Sequence, residues 1–211
     1  MKAWLLPALT GTDSMTLSEA AEPTPARGEI VINLRYAALN PADRYLALGQ
    51  YPATPSLPHI LGRDGMGTVT AVGEGVSDIH PGDTRVILRS EVGVSRPGTL
   101  AQRVAVEARY TVPMPHGWSE QQAAAAPLVY LTAWQAISQW PDLPRNPVTL
   151  VTGASGGVGV ATTQLAHALG HTVIGLSRSK KKSAQLRTLG AAITLDPEEK
   201  SWRKIIKDQL G

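Results

Sequence analysis

Residues 148–178 read VTLVTGASGGVGVATTQLAHALGHTVIGLSR, and this stretch decides the fold. An apolar run at 148–152 leads into a glycine-rich turn and then a helix, and a second apolar run follows at 172–176. This order and spacing predict a β-α-β unit. Such a turn can hold a dinucleotide pyrophosphate, because the first N–H groups of the helix are unpaired and its N-terminus carries partial positive charge.

The glycines of the turn have separate predicted tasks. Gly156 allows the backbone to approach the phosphates, and Gly159 allows the helix to pack closely on the strand. Alanine replaces the first glycine of the usual G-x-G-x-x-G pattern. A tight turn without a ligand would explain one or two of these glycines, but not four. The predicted cofactor contacts of the turn are Ala154, Ser155, Gly156, Gly157, Val158 and Gly159.

The end of the second strand predicts which coenzyme binds. An NAD site carries Asp or Glu about 20 residues after the glycines, for the ribose 2′-hydroxyl. This chain instead has Ser177 and Arg178, followed by three lysines at 180–182. Lysines in the first turn of a helix oppose its macrodipole unless they face an anion. The 2′-phosphate of NADPH is such an anion, so we predict NADPH; a solvated basic helix start is the alternative.

Composition limits the class of protein. The chain has 211 residues, 43% of them hydrophobic, which is enough for one large or two small domains. The absence of cysteine excludes a disulfide framework, cysteine-ligated zinc and a thiol nucleophile. We expect a cytoplasmic protein, because no apolar run has the length of a signal peptide or a membrane span. The net charge of +3 does not indicate nucleic acid binding.

The pattern of predicted elements changes near residue 117. Residues 1–117 predict a small all-β domain, and residues 118–211 predict the cofactor-binding domain. The predicted strands of the first domain are 29–39, 67–72, 84–88 and 99–106. In the second domain Ser119 caps a short helix, and the further predicted elements are helix 128–140, helix 183–189, strand 191–195 and helix 201–210.

Several motifs occur along the whole chain in a particular order: NPADRY at 40–45, LGRDGMGTV at 61–69, PGD at 81–83, AAAAP at 123–127, LTAW at 131–134 and GASGGVG at 153–159. In this order they resemble the medium-chain dehydrogenase/reductase family, with the best fit to its zinc-independent, quinone oxidoreductase-like branch. The resemblance implies an α/β protein with an N-terminal GroES-like β-barrel domain, which is the catalytic domain, and a Rossmann domain.

The resemblance also implies roles for individual residues. Asn40 and Tyr45 match residues near the nicotinamide, and Thr132 matches one that contacts its carboxamide end. Lys182 matches a lysine that helps to bind the 2′-phosphate. The implied reaction is hydride transfer from NADPH to a quinone or an α,β-unsaturated carbonyl, in which the protein mainly orients the reactants. Tyr45 is either a proton or hydrogen-bond donor or a packing residue.

No metal site is predicted. A catalytic zinc needs three protein ligands and an open position. Where zinc-containing members have Gly-His-Glu, this chain has glycine, Arg63 and Asp64. His167 and His171 have ligand-like spacing, but no glutamate lies between them and a glycine is expected to end the helix.

Two other classes of function are possible on the sequence. Ser155 lies in a G-x-S-x-G pattern typical of serine hydrolases, but the triad order requires a histidine after an acid, and the acids after Ser155 all follow the last histidine. The second alternative is a non-catalytic NADPH-binding or interaction protein derived from a reductase.

The sequence predicts only half of a Rossmann sheet. The elements after the glycine turn account for strands in the order 3-2-1, and strands 4-5-6 are missing. We expect the first strand of the cofactor domain to be an exposed apolar edge. Such an edge favours self-association or a complementing chain.

Overall fold

The computed structural model describes residues 1–88, 90–140 and 142–210. Contacts divide the chain into two compact units, Met1–Leu128 and Val129–Gly211. The strands are β1 Lys2–Leu6, β2 Thr16–Glu19, β3 Glu29–Ala38, β4 His59–Ile60, β5 Asp64–Val72, β6 Thr84–Ile87, β7 Arg103–Glu107, β8 Thr111–Pro113, β9 Val148–Val151, β10 Thr172–Leu176 and β11 Ala191–Leu195. The helices are α1 Pro41–Ala47, α2 Glu120–Ala125, α3 Pro127–Ile137, α4 Gly157–Ala168, α5 Lys180–Thr188 and α6 Trp202–Leu210.

The first unit is built from two antiparallel sheets. One has the strand order β2-β1-β4, and the other has the order β7-β3-β5-β6-β8. Strand β3 lies inside the larger sheet, and its first four residues are all buried, whereas its second half alternates between exposed and partly buried positions. This change fits a strand that leaves the core as it approaches α1. The main core of the unit consists of Ile30, Ile32, Val69, Ile79, Ile87, Val92, Val104 and Val106.

The second unit contains a parallel sheet with the order β11-β10-β9. This order confirms the predicted 3-2-1 arrangement. β9 and β10 are parallel, and Val148 pairs with Thr172 at their starts. The carboxyl ends of the strands therefore meet at one edge of the sheet. The core of the unit consists of Val151, Ala154, Ala166, Val173, Leu186 and Ala191.

The observed elements differ from the predicted ones mainly at their ends. The predicted strand 99–106 is wrong in its first half, because residues 97–102 form a loop and β7 starts at Arg103. Thr99 is buried in this loop and donates its hydroxyl to the backbone oxygen of Asp64 at 2.9 Å. β-Branched residues favour strands, but here a side-chain hydrogen bond stabilises a loop instead.

Helix ends also shift for identifiable reasons. Helix α5 begins at Lys180, three residues before the predicted start, because Ser179 is its N-cap. Ser119 caps α2 as predicted, and Gln122 completes a capping box. α2 packs on β3 and β5 of the first unit. The boundary between the two compact units therefore lies after α2, between Leu128 and Val129. The predicted domain boundary at 117/118 stays a prediction.

Candidate cofactor and active-site residues

The glycine-rich turn joins β9 to α4. Ala154 is fully buried and donates its N–H to the backbone oxygen of Leu176 at 3.2 Å. A Cβ on Gly159 would lie 2.4 Å from the oxygen of Gly153 and 2.6 Å from the Cα of Ala154. Glycine at position 159 is therefore required where the helix packs closely on the turn. The sequence predicted close packing on the strand, whereas the close contacts lie in the turn that follows it.

Gly156 is a different kind of position. A Cβ there would meet only the oxygen of Gly153, at 3.4 Å, which is ordinary van der Waals contact. The fold does not need a glycine at this point. Gly156 is the N-cap of α4 and supplies no side-chain cap, and the next two residues are also exposed. The N–H groups of the first turn have no partner within a helix, so this end of α4 presents donors to an anion.

The segment that follows β10 is rich in basic residues. Ser177 is buried and hydrogen-bonded through its N–H to the oxygen of Leu195, while Arg178 is exposed. Arg178 forms an ion pair with Glu198 at 3.4 Å. Lys182 is also exposed, and its backbone N–H donates to Ser179 in the cap of α5.

Two open pockets flank α5. One, of about 400 Å³, is lined by Ser155 and Lys182, and the other, of about 340 Å³, by Ser177 and Arg178. The turn and the basic residues therefore share one region of the second unit. Thr132 is exposed on α3 of the same unit.

In the first unit, Asn40 is the N-cap of α1 and lies beside two buried carboxylates. Asp43 accepts the N–H of Asn40 at 2.8 Å and the N–H of Gly62 at 3.2 Å. Asp64 accepts the side-chain amide of Asn40 at 2.9 Å. Its other oxygen accepts the N–H of Leu128 at 3.1 Å. Backbone and side chain of Asn40 are thus each held by a carboxylate.

Burial changes the pKa of both carboxyl groups. It raises the pKa of Asp43 above its ordinary value, against the hydrogen bonds from Asn40 and Gly62. It raises the pKa of Asp64 to about 6, against the hydrogen bonds from Asn40 and Leu128. The negative charge of Asp43 adds to this shift in Asp64, and the positive charge of Arg63 opposes it.

Arg63 and Tyr51 form a second polar contact in the first unit. The guanidinium of Arg63 donates to the hydroxyl of Tyr51 at 2.9 Å and lies 5.7 Å from the centre of its ring. Tyr45, which the resemblance places at the nicotinamide, is 47% exposed on α1. Within the part of the chain that the structure describes, no three His, Asp or Glu side chains lie close enough to hold a metal ion.

Sequence reasoning did not assign a role to Asp43, Asp64 or Tyr51. Both aspartates belong to motifs that the sequence displays, NPADRY and LGRDGMGTV. An acidic residue within an otherwise apolar, glycine-containing strand is a signal of a buried polar contact. The partners of Asp64 could not be found in this way, because Asn40 and Leu128 are 24 and 64 residues away.

Comparison with known proteins agrees with the fold. Residues 26–116 match the family of alcohol dehydrogenase GroES-like domains, and residues 157–211 match the zinc-binding dehydrogenase family. The structure of an NAD-dependent alcohol dehydrogenase has 33% identity and a TM-score of 0.91, with 99% of this chain and 67% of that chain covered.

Sequence relatives include the quinone oxidoreductase of Rattus norvegicus, which is 32% identical and is covered over 57% of its length by 92% of this chain. The pikromycin polyketide synthase component PikAII of Streptomyces venezuelae is 38% identical, with 85% of this chain and 5% of that protein covered. The chain thus spans little more than half of the quinone oxidoreductase and a small part of the synthase component.

These likenesses define an α/β oxidoreductase fold made of a GroES-like domain and a partial Rossmann sheet. The chain belongs to the medium-chain dehydrogenase/reductase family. The predicted family and fold class are confirmed. Members of this family bind nicotinamide cofactors, and membership favours an oxidoreductase over the serine hydrolase that the pattern around Ser155 would allow. Among the residues that the structure describes, no helix is long and apolar enough to cross a membrane.

Proposed function

We propose that this chain binds NADPH and serves a zinc-independent oxidoreductase that transfers hydride to a quinone or an α,β-unsaturated carbonyl. The observation that carries the proposal is the turn between β9 and α4, together with the cations that follow β10. Family membership supplies the reaction class, and the residues of these two segments support the coenzyme.

The backbone of the turn is open at Gly156, as a bound pyrophosphate would require. Glycine is not required by packing at position 156, so its lack of a side chain fits a ligand that approaches the backbone there. The exposed amides at the start of α4 would hold the phosphate oxygens, with support from the helix dipole. Ala154 is buried and therefore acts through the shape of the turn rather than through a side-chain contact.

The groups beyond β10 suit a 2′-phosphate better than a ribose hydroxyl. Ser177 and Arg178 stand where an NAD site has a carboxylate. Arg178 and Lys182 are both exposed and can turn toward a phosphate. The ion pair with Glu198 occupies Arg178 only weakly, since an exposed pair contributes about 0–1 kcal/mol. A charge-assisted bond to phosphate is worth about 1.5–3 kcal/mol, which is larger.

NADPH supplies the hydride when it is bound. In the first unit, Asn40 would contact the nicotinamide or the substrate with an amide that Asp64 orients. Tyr45 would donate a hydrogen bond to the substrate carbonyl, which its exposed position on α1 permits. In the second unit, Thr132 would contact the carboxamide of the nicotinamide.

Zinc independence is supported by the residues at the position of the zinc-binding motif. Arg63 stands where zinc-containing members carry a histidine ligand, and its cation contacts the hydroxyl and ring of Tyr51. Each oxygen of the neighbouring carboxylate, Asp64, accepts a hydrogen bond from one N–H group. A positive guanidinium next to this carboxylate suits a site without a second cation.

Coenzyme preference tests the proposal directly. In the double variant Arg178→Ala with Lys182→Ala, we expect NADPH affinity to fall at least about tenfold, since one such bond is worth more than 1.4 kcal/mol. NADH affinity should change little, because NADH has no 2′-phosphate. Lys204→Ala with Lys207→Ala removes the same charge from α6 and is the control. Equal losses for both coenzymes would contradict the 2′-phosphate assignment.

Turnover tests the reaction class. NADPH oxidation is followed with a benzoquinone and with an enone as acceptors, on the 211-residue chain. Oxidation that depends on the acceptor would support the reductase. NADPH binding without turnover would favour a non-catalytic binding protein, and ester hydrolysis that is lost in Ser155→Ala would favour a hydrolase.

A further inference from the structure

Asp64, the first residue of β5, is 2% exposed and is bound by two donors. Its Oδ2 accepts a hydrogen bond from the Nδ2 of Asn40, and its Oδ1 accepts one from the backbone N–H of Leu128. Both partners can only donate at these atoms, so both oxygens must act as acceptors. The ionised carboxyl group accepts both bonds with full acceptor strength, whereas a proton on either oxygen weakens the bond to that oxygen.

These contacts fix the direction of the Asn40 amide. Asn40 and Asp43 form a capping box at the start of α1. The Asn40 side chain itself makes no hydrogen bond in this cap, and the N–H of Asp43 donates to the backbone oxygen of Asn40 at 3.0 Å. The orientation of the amide is therefore set by the hydrogen bond from its NH₂ group to Asp64.

Protonation of Asp64 disrupts the hydrogen bond from the Asn40 NH₂ group. A neutral carboxyl group keeps one acceptor oxygen and gains an O–H donor. If Oδ1 continues to accept from Leu128, the proton resides on Oδ2 and faces the NH₂ group of Asn40. Two donors then oppose each other, and Asn40 must turn its amide or leave the contact. A turned amide would accept the new O–H with its own oxygen and point its NH₂ group away from Asp64.

The environment allows this protonation within an accessible pH range. Burial raises the pKa of Asp64 to about 6. The charged groups that act on it are Asp43 from α1, which raises the pKa further, and Arg63 from the segment before β5, which lowers it. The other neighbours are the neutral amide of Asn40, the N–H of Leu128, and Thr99, which binds the Asp64 backbone.

We propose that Asp64 is a positioning residue whose ionised carboxylate holds the Asn40 amide in the orientation needed in the active site, and whose protonation reverses or releases it. The functional consequence rests on the proposed role of Asn40 in hydride transfer. The structural part does not, because it concerns only the contacts within the first unit.

The side-chain amide of Asn40 reports the orientation without any assay of activity. Its ¹⁵N and ¹H resonances are followed by NMR as the pH falls from about 8 to about 4.5, a range that brackets the pKa of Asp64. We expect a shift with its midpoint near the pKa of Asp64, and no such shift in Asp64→Asn. Asp78→Asn removes an exposed carboxylate of the same unit and should leave the titration unchanged.

Two results would overturn the positioning role. One is an Asn40 amide that does not titrate in the wild-type protein, which decides the matter even if Asp64→Asn fails to fold. The other is the same titration in wild type and Asp64→Asn, which would assign the effect to Asp43.

Kinetics then tests the consequence for turnover. In Asp64→Asn one oxygen must accept from Leu128, so the NH₂ group faces Asn40 as the proton does at low pH. We expect kcat to fall about tenfold at neutral pH, the cost of one lost oriented hydrogen bond. The NADPH dissociation constant should change by less than this, because the phosphates are bound by residues of the second unit. The wild-type inflection near the pKa of Asp64 should disappear, and Asp64→Glu should restore it in part.

The two measurements separate the two proposals. If NADPH turnover is absent while the Asn40 amide titrates as expected, the proposed function fails and the positioning role stands. If turnover is present with an acid inflection that Asp64→Asn retains, the positioning role fails and the proposed function stands.

Discussion

Keeping the ionised carboxylate of Asp64 buried lowers the unfolding free energy of the protein at neutral pH. Burial raises its pKa from 3.8 to about 6. The folded state therefore holds a proton, at intermediate pH, that the unfolded chain has lost. The stabilisation that comes from burying Asp64 in its protonated form is fully present below the unfolded pKa and is lost as the pH rises through about 6.

This cost gives a prediction about stability at the level of one side chain. Asp64→Asn cannot ionise, so from about pH 4 to about pH 7.5 the unfolding free energy of wild type should fall relative to the variant by up to about 3 kcal/mol. Urea unfolding at both pH values measures the difference, with Asp78→Asn as the control. A difference that is constant with pH would contradict the raised pKa.

The turn between β9 and α4 lets packing and ligand binding be separated with a single methyl group. In Gly159→Ala the added Cβ would lie 2.4 Å from the Gly153 oxygen, and we expect a loss of stability of about 1–3 kcal/mol. In Gly156→Ala the Cβ fits beside the turn. It would stand in the path of the pyrophosphate, so we expect NADPH affinity lowered at least about tenfold, a loss of one phosphate contact. Alanine is a poorer N-cap than glycine, so thermal unfolding should shift slightly, and by less than in Gly159→Ala.

Calorimetric titration with NADPH and thermal unfolding of both variants check this prediction. Gly156→Ala with wild-type affinity would contradict binding at the turn. A Gly156→Ala protein that unfolds as early as Gly159→Ala would instead show that packing, and not the ligand, requires the glycine.

Elements whose signals are local could be predicted from the sequence. The order β9-α4-β10 follows from apolar periodicity and glycines, and the start of α2 from the cap at Ser119 and Gln122. The loop at 97–102 could not be predicted, because Thr99 is held by a hydrogen bond to Asp64 across 35 positions. The same limit hid the contact between Asp64 and the Asn40 amide, because the two residues are 24 positions apart.

Among the described residues, β9 forms an apolar edge of the sheet in the second unit. Strand β9 pairs with β10 on one side, and within the described residues it has no strand on the other. Val148 is 42% exposed and Leu150 is 44% exposed. The exposed side chains of Trp140 and Leu143 line one pocket with them. Unpaired backbone groups beside apolar side chains favour strand addition from another chain.

We therefore expect this chain to self-associate by pairing of β9 with a second copy of the chain. Sedimentation velocity should give a weight-average sedimentation coefficient that rises with protein concentration in wild type. Leu150→Lys should keep the chain monomeric, because a charge on an edge strand opposes pairing. Leu17→Lys alters an exposed leucine on β2, an edge strand of the first unit, and should leave association unchanged. A wild-type chain that stays monomeric at every concentration, or equal effects of both substitutions, would rule out β9 as the interface.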